Sequence, residues 1–317
     1  MEIADASSRD RLIAAILDFL VGQDLLATHD IRAELEREIA SAGPAAVLAL
    51  KARLTTDNGW DYYPRDPLAQ RIHHVLADRF LAQESQLRGT HHLTGLAGLP
   101  VVLCANHLSY ADANVIEVLL QRSGGAELAN RLTAIAGPKV FTSRDRRFSS
   151  LCFGTVKVPQ SADVSSDEAA LNSREVARAA RHSIEVARQR LTEGDALVLF
   201  AEGTRSRAGS MQPMLAGAAR YLDVPGTWVL PAGLAGPEVL FSITDSTLRV
   251  ARVVIQLGRP IPAAVLMAQA DGDRRLVMDA IGLAIAGLVP PEYRGVYGMA
   301  VDFVDAARVL RASQGTA

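Results

Sequence analysis

From Leu93 onward the chain alternates short runs of β-branched and other apolar residues with longer helical segments, and this alternation limits the fold more than any other feature. Val101 to Cys104, Leu132 to Ala136, Thr155 to Val158, Ala196 to Phe200, Thr227 to Leu230 and Val250 to Leu257 have the length of strands. Helical segments separate them at about Ala113 to Gln121, Asp167 to Glu193 and Met214 to Leu222. The longest puts Ala177, Ala180, Ile184, Ala187 and Leu191 on one face and ends at Gly194. This pattern predicts an α/β fold with a mixed, largely parallel sheet flanked by helices, and it puts functional loops at strand ends.

Before Leu93 the pattern is helical. Leu12, Ile13, Ile16, Leu17, Leu20 and Val21 mark one apolar face, and Ile31, Leu35 and Ile39 mark a second after a candidate cap at Asp30. Gly43-Pro44 breaks that helix, with Pro44 placed to open the next. Asn58 to Pro64 is a turn-rich aromatic connector, and Leu68, Ile72, Val75, Leu76 and Phe80 mark a fourth helix. The expected organisation is a small all-helical domain or cap over residues 1–87, an α/β domain over 88–312 and a loose tail over 313–317. The N-terminal faces suit packing against the main domain better than insertion into lipid, because their flanks are acidic as often as basic.

The 33 Lys plus Arg nearly balance the 35 Asp plus Glu, so the total charge gives no general attraction to nucleic acid or to an anionic membrane. Cys104 and Cys152 are too few for a disulfide framework, and with no signal peptide at the start they point to a cytoplasmic protein. No apolar stretch reaches the roughly 18 residues of a membrane span. The remaining histidines, His29, His73, His74, His91, His92 and His182, have no cysteine or acidic partner at a metal-ligand spacing. Neither a nucleotide-binding glycine loop nor a Gly-x-Ser-x-Gly elbow occurs.

Two stretches carry chemistry. Asn106-His107-Leu108-Ser109-Tyr110-Ala111-Asp112 follows the first apolar run and sets a histidine five positions before a carboxylate. Imidazole accepts a proton near neutrality, and a carboxylate on its other nitrogen fixes the tautomer and stabilises the imidazolium. The same residues also fit a capping box, with Ser109 as N-cap and Asp112 three positions on. The second stretch, Ala201-Glu202-Gly203-Thr204-Arg205-Ser206-Arg207, follows another apolar run; a glycine turn with two arginines suits a phosphate, and a solvated surface loop is the alternative.

Together, Asn106-His107-x4-Asp112 and, about ninety residues later, Phe200-Ala201-Glu202-Gly203-Thr204-Arg205-Ser206 resemble the NHx4D and EGTRS motifs of the glycerol-3-phosphate and lysophosphatidate acyltransferase family. The likeness extends over roughly Leu93 to Gly298. Gly137-Pro138-Lys139, Gly154 to Val158, Leu230-Pro231-Ala232 and Gly258-Arg259-Pro260-Ile261 fall where that family has further blocks. The resemblance implies a phospholipid-synthesis transferase that moves a fatty acyl group from acyl-CoA or acyl carrier protein, as co-substrate, to a hydroxyl of a phosphate-bearing acceptor. That acceptor is glycerol-3-phosphate, lysophosphatidate or a similar lysophospholipid. It implies His107 and Asp112 as the catalytic pair, Asn106 and Ser109 as positioning residues, and Glu202, Gly203, Thr204, Arg205 and Arg207 on the acceptor's phosphate. It implies no resident cofactor and no metal, and a cytoplasmic enzyme with peripheral contact on the inner face of the membrane. Backbone N–H groups around the Ser109 turn, or a nearby basic residue, are the candidate oxyanion donors.

One departure stands out. Many members carry an arginine just after the second-block strand, where this chain has Pro159-Gln160. Lys157 and Lys139 are candidates to take its place, as are Arg144, Arg146 and Arg147, a cluster that equally suits an acidic carrier protein, the phosphates of CoA or plain solvent. The alternatives to phospholipid acylation are a repurposed member acylating a sugar hydroxyl or an amine, and a non-catalytic module that binds acyl chains or carrier protein.

Overall fold

Five successive residues without a charged or hydroxylated side chain, Val101–Ala105, form a central strand whose every residue is buried. The structure, a computed structural model, describes residues 10–14, 25–55, 59–142, 144–159, 173–241 and 248–315. Among these residues nine strands form one sheet: β1 (Tyr62–Tyr63), β2 (Gln86–Arg88), β3 (Val101–Ala105), β4 (Leu132–Ala136), β5 (Gly154–Lys157), β6 (Ala196–Leu199), β7 (Trp228–Ala235), β8 (Val254–Leu257) and β9 (Ile261–Pro262). Their order is β1-β5-β4-β6-β3-β7-β8-β2, with β9 beside β7. The run from β5 to β7 is parallel throughout, as is the β2 to β8 pair, while β1, β8 and β9 add antiparallel pairings. The fold is therefore mixed α/β with a largely parallel sheet, as the alternation predicts.

Period-two geometry divides the strand residues between two cores. Val101, Leu103 and Ala105 join one hydrophobic cluster, and Val102 and Cys104 join the other. In chain order the helices are α1 (Leu25–Thr55), α2 (Pro67–Phe80), α3 (Asp112–Arg122), α4 (Ala126–Asn130), α5 (Lys139–Thr142), α6 (Arg144–Ser150), α7 (Ser173–Thr192), α8 (Pro237–Leu240), α9 (Ala263–Gln269), α10 (Arg274–Ala286) and α11 (Val304–Gly315). Residues of α1, α2, α3 and α6 fill the first core, and residues of α7, α9, α10 and α11 fill the second.

Several expectations change. Gly43 breaks the helical path with φ 76°, so α1 is two helical pieces meeting at Gly43-Pro44, as expected, but Asp30 lies inside the first piece rather than at its start. Ile31, Leu35, Ile39, Leu50 and Leu54 are buried in the same core as Leu103 and Leu230. The expected boundary at residue 87 falls inside β2, and β1, within the expected helical unit, pairs with β5. These edge strands are two or three residues long, too short to show a period. The apolar face from Leu12 to Val21 and the start of the long helix at Asp167 lie mostly outside the described residues. Met214 to Leu222 forms a 3-10 helix over Ala216–Leu222 instead of an α-helix.

Strand β7 runs past Pro231 to Ala235, five residues beyond the expected end of the run at Leu230. On its far side β7 pairs with β9 at Trp228 and Val229 and with β8 from Ala232 onward, so Pro231 falls in the gap between two partners. Its carbonyl accepts from Gly258 N–H, on that same side. A missing donor is tolerated there because no ladder partner waits for it.

Asp66 sets the entry of α2: its carboxylate accepts from the N–H groups of Leu68 and Ala69 and lies 3.5 Å from Arg53 Nε. Replacing Asp66 by Ala leaves two buried donors unmet, and an N-cap of this kind contributes about 1 kcal/mol. Urea unfolding of Asp66→Ala is expected to show that loss as a lower midpoint with an unchanged slope.

Candidate active site

The loops after β3 and β6 emerge side by side, because these strands are parallel neighbours and both end at the same edge of the sheet. Asn106 to Asp112 leaves the first and Phe200 to Arg207 the second, which brings together the two stretches singled out in the sequence. They border a cleft of about 1100 Å3 that also takes in residues following β4 and β5. This is where an open α/β sheet places ligands.

Asp112 is the first residue of α3 and is wholly buried. Its Oδ2 accepts from His107 Nδ1 at 2.8 Å and from the backbone N–H groups of Leu108 and Ser109 at 2.7 and 2.9 Å. A carboxylate can only accept here, so Nδ1 carries the hydrogen and Nε2 keeps its lone pair. The imidazole lies against Phe200, ring centroids 4.4 Å apart and nearly parallel, and it lines the cleft. Half of the expected capping box is present, since Asp112 accepts from Ser109 N–H. The other half is not: Ser109 Oγ accepts from Ala111 N–H and donates to the Phe241 carbonyl, and the residue preceding the helix is Ala111.

Asn106 is buried, and its amide both donates to the Leu234 carbonyl at 3.0 Å and accepts from Leu234 N–H at 2.8 Å. It thereby ties the loop to β7 directly beyond the last backbone pair. Glu202 makes the second tie. Its two oxygens accept from His107 N–H at 2.9 Å and Gln212 N–H at 2.7 Å, while Ser206 N–H donates back to the His107 carbonyl. Burial pushes the Glu202 carboxyl up to about 7, against the pull of the two N–H groups, and the charge of Asp112 adds to the rise. Gly203 has φ 76°, a left-handed conformation that favours glycine at this turn.

The expected anion-binding residues divide. Gly203, Thr204, Arg205, Arg207 and Lys139 line the cleft, and Arg205 stacks over the Tyr110 ring at 3.7 Å. Glu202 lines it as well, but with both oxygens engaged it braces loops rather than offering itself to an acceptor. Lys157 does not line the cleft: its ammonium sits over the rings of Trp60 and Phe141, which draw it to the β1 edge. Arg147 is buried, over Tyr63 and donating to the Leu54 carbonyl, so it is part of the packing of α6 on α1. The side chains of Arg144 and Arg146 lie outside the described residues. The N–H groups of Leu108, Ser109 and Ala111 are already taken, which removes them from the candidate oxyanion donors. Sequence reasoning gave no role to Tyr110, Gln212, Phe241 or Arg220. Arg220 lines the cleft with no ion pair to a described residue, and nothing in its sequence neighbourhood marks it. No group of three metal-ligating side chains occurs among the described residues.

The raised Glu202 carboxyl has a consequence for stability. Between its ordinary 4.5 and about 7 the folded chain keeps a proton that the unfolded chain releases, so this group lowers stability as pH rises through that window, by roughly 3 kcal/mol in all. His73, pushed down to about 4 chiefly by burial, acts in the opposite sense as pH rises from 4 to its ordinary 6.5. Comparing denaturant unfolding of wild type and Glu202→Gln at pH 5 and 7.5 isolates the first effect: the variant is expected to lack it, while losing one backbone tie because an amide has a single acceptor oxygen.

Residues 84–235 match the Acyltransferase family model, a span that contains β2 to β7 and both motif loops. Among solved structures the chain is similar to PlsC, the 1-acyl-sn-glycerophosphate (LPA) acyltransferase of Thermotoga maritima, at 15% identity and a TM-score of 0.45, covering 83% of this chain and 96% of that one. Comparison with curated protein sequences gives no match. The part of the chain that builds the His107–Asp112 pair and the Glu202 to Arg207 loop is the part that matches the Acyltransferase family.

Proposed function

We propose that the protein is an O-acyltransferase that moves a fatty acyl group from a thioester, acyl-CoA or acyl carrier protein, to a hydroxyl of a phosphate-bearing acceptor such as glycerol-3-phosphate or a lysophospholipid. The observation that carries this reading is the 2.8 Å contact of His107 Nδ1 with the buried Asp112 carboxylate, at the wall of a cleft lined by apolar side chains and by arginines. With Nδ1 donating, Nε2 is left as the base. It takes the proton of the acceptor hydroxyl as the oxygen attacks the thioester carbonyl, and Asp112 stabilises the imidazolium that forms. Collapse of the tetrahedral intermediate breaks the carbon–sulfur bond, and the leaving thiolate takes the proton back from His107. No acyl-enzyme is needed.

Arg205 and Arg207, with Lys139 and Arg220, supply positive charge at the cleft for the acceptor's phosphate. Arg205 is held flat over Tyr110, which orients its guanidinium for a planar contact. Among the described residues no helix is long and apolar enough to cross a membrane.

The decisive test is a mass-spectrometric screen of the purified protein with one acyl-CoA and one acyl carrier thioester against glycerol-3-phosphate, lysophosphatidate, other lysophospholipids and a few glycosides. No acylated product from any pair would refute the reading. With the productive pair in hand, His107→Ala is expected to lower kcat by about a hundredfold to ten-thousandfold, the usual range for a general base. Arg205→Ala is expected to raise KM for the phosphorylated acceptor far more than for its dephosphorylated analogue, and equal losses on both would remove the phosphate from this site.

A further inference from the structure

On the side of the first core the cleft wall is built from Leu76, Phe80, Val115, Val118, Phe148 and Phe153, an apolar surface suited to an alkyl chain. Six side chains capable of hydrogen bonding are set among them: His73, Asn114, Ser149, Ser150, Cys152 and Thr155. Their hydroxyl and thiol hydrogens are used within the protein, that of Cys152 toward the Ala69 carbonyl, and Asn114 spends one of its two amide hydrogens. Asn114 Nδ2 donates to the Ser149 carbonyl, and Ser149 Oγ donates to Asn114 Oδ1. Ser150 Oγ donates to the Arg147 carbonyl, and Thr155 Oγ1 donates to the Ser150 carbonyl.

His73 completes the set. Its Nε2 lies 3.2 Å from the Asn114 carbonyl, which can only accept, so Nε2 carries the hydrogen and Nδ1 presents a lone pair. Burial pushes its pKa down to about 4, which keeps the ring neutral at pH 7. No described residue bonds Nδ1. The ring is held in place by its neighbours: His74 and Gln70, on the same helix, both bond the buried Glu117 of α3, at 2.8 and 2.9 Å. Apart from the second amide hydrogen of Asn114, the side chains of this wall thus present acceptors. Beside His73 Nδ1 a ligand group that donates a hydrogen bond is matched, and one that can only accept is left unpaired there with its desolvation uncompensated.

We propose that His73 selects an acyl chain bearing a hydroxyl group, which donates to Nδ1, over the same chain bearing a keto group at that carbon. This rests on the cleft being the site that receives the acyl donor. The alkyl wall around His73 assigns the hydroxyl to a fatty chain and not to the phosphate end of the acceptor, which the arginines of the cleft match.

The test uses the full chain and two readouts. Displacement of a fluorescent fatty acid is measured with tetradecanoic acid and with its hydroxy and oxo derivatives substituted at successive carbons, and transfer is measured with the corresponding thioesters. At one position the hydroxy acid is expected to bind about threefold to tenfold more tightly than its oxo counterpart, the scale of one net hydrogen bond. His73→Phe, which keeps the ring and removes the acceptor, is expected to abolish that difference while retaining binding of the plain acid. Equal binding of hydroxy and oxo acids at every position in the wild type overturns the proposal whatever the variant does, and so does a preference that survives His73→Phe. Transfer without any hydroxyl preference overturns this proposal alone. A hydroxyl preference in binding, lost in His73→Phe, with no transfer to any acceptor, supports it and overturns the acyltransferase reading.

Discussion

One oxygen atom organises the site. Oδ2 of Asp112 accepts three hydrogen bonds, one from the His107 ring and two from the backbone that links histidine to helix. The two backbone bonds fix where the carboxylate lies, and the ring must then come to it. Because Asp112 is the first residue of α3, its negative charge also sits at the end of a helix where unpaired N–H groups favour it. A helix start and a base-orienting carboxylate are usually competing explanations for an acidic residue. Here the geometry makes them the same contact.

The backbone of His107 is secured as firmly as its ring. Its N–H goes to Glu202 and its carbonyl receives Ser206 N–H, so the loops after β3 and β6 are joined through the main chain of His107 itself. Glu202 keeps a raised proton affinity because it performs this bracing away from water. Arg205 and Arg207, which line the cleft, ride on the same loop as Glu202. His107 and the arginine-bearing loop are thereby joined by one connected set of hydrogen bonds.

Much of this was legible in the sequence, and the parts that were not have physical reasons. The six longer strands announce themselves by apolar runs, and the two motif loops by residue types that only chemistry requires together. Strands of two or three residues such as β1 and β9 carry no period, and β7 continues past Pro231 only because its partners change there. Lys157 illustrates the limit for side chains: its position after β5 suggests an anion clamp, but two aromatic rings from separate segments claim its ammonium, and nothing local marks them. Arg147 is similar, a cation in a basic run that long-range packing buries. Tertiary partners decide the fate of a charged side chain, and they are the least visible feature of a sequence.

Asn106 shows how the chain leaves the sheet without loosening it. Its side-chain amide exchanges two hydrogen bonds with the Leu234 peptide, reproducing the bond pattern of a strand residue with atoms that are not main chain. The ladder between β3 and β7 is thereby extended by one counterfeit rung while the real backbone is released to turn toward the cleft. An aspartate would not serve, having nothing to donate to the Leu234 carbonyl, and a glutamine would set its amide one carbon too far out. The histidine can therefore stand in a loop and still inherit the rigidity of the strand it has just left.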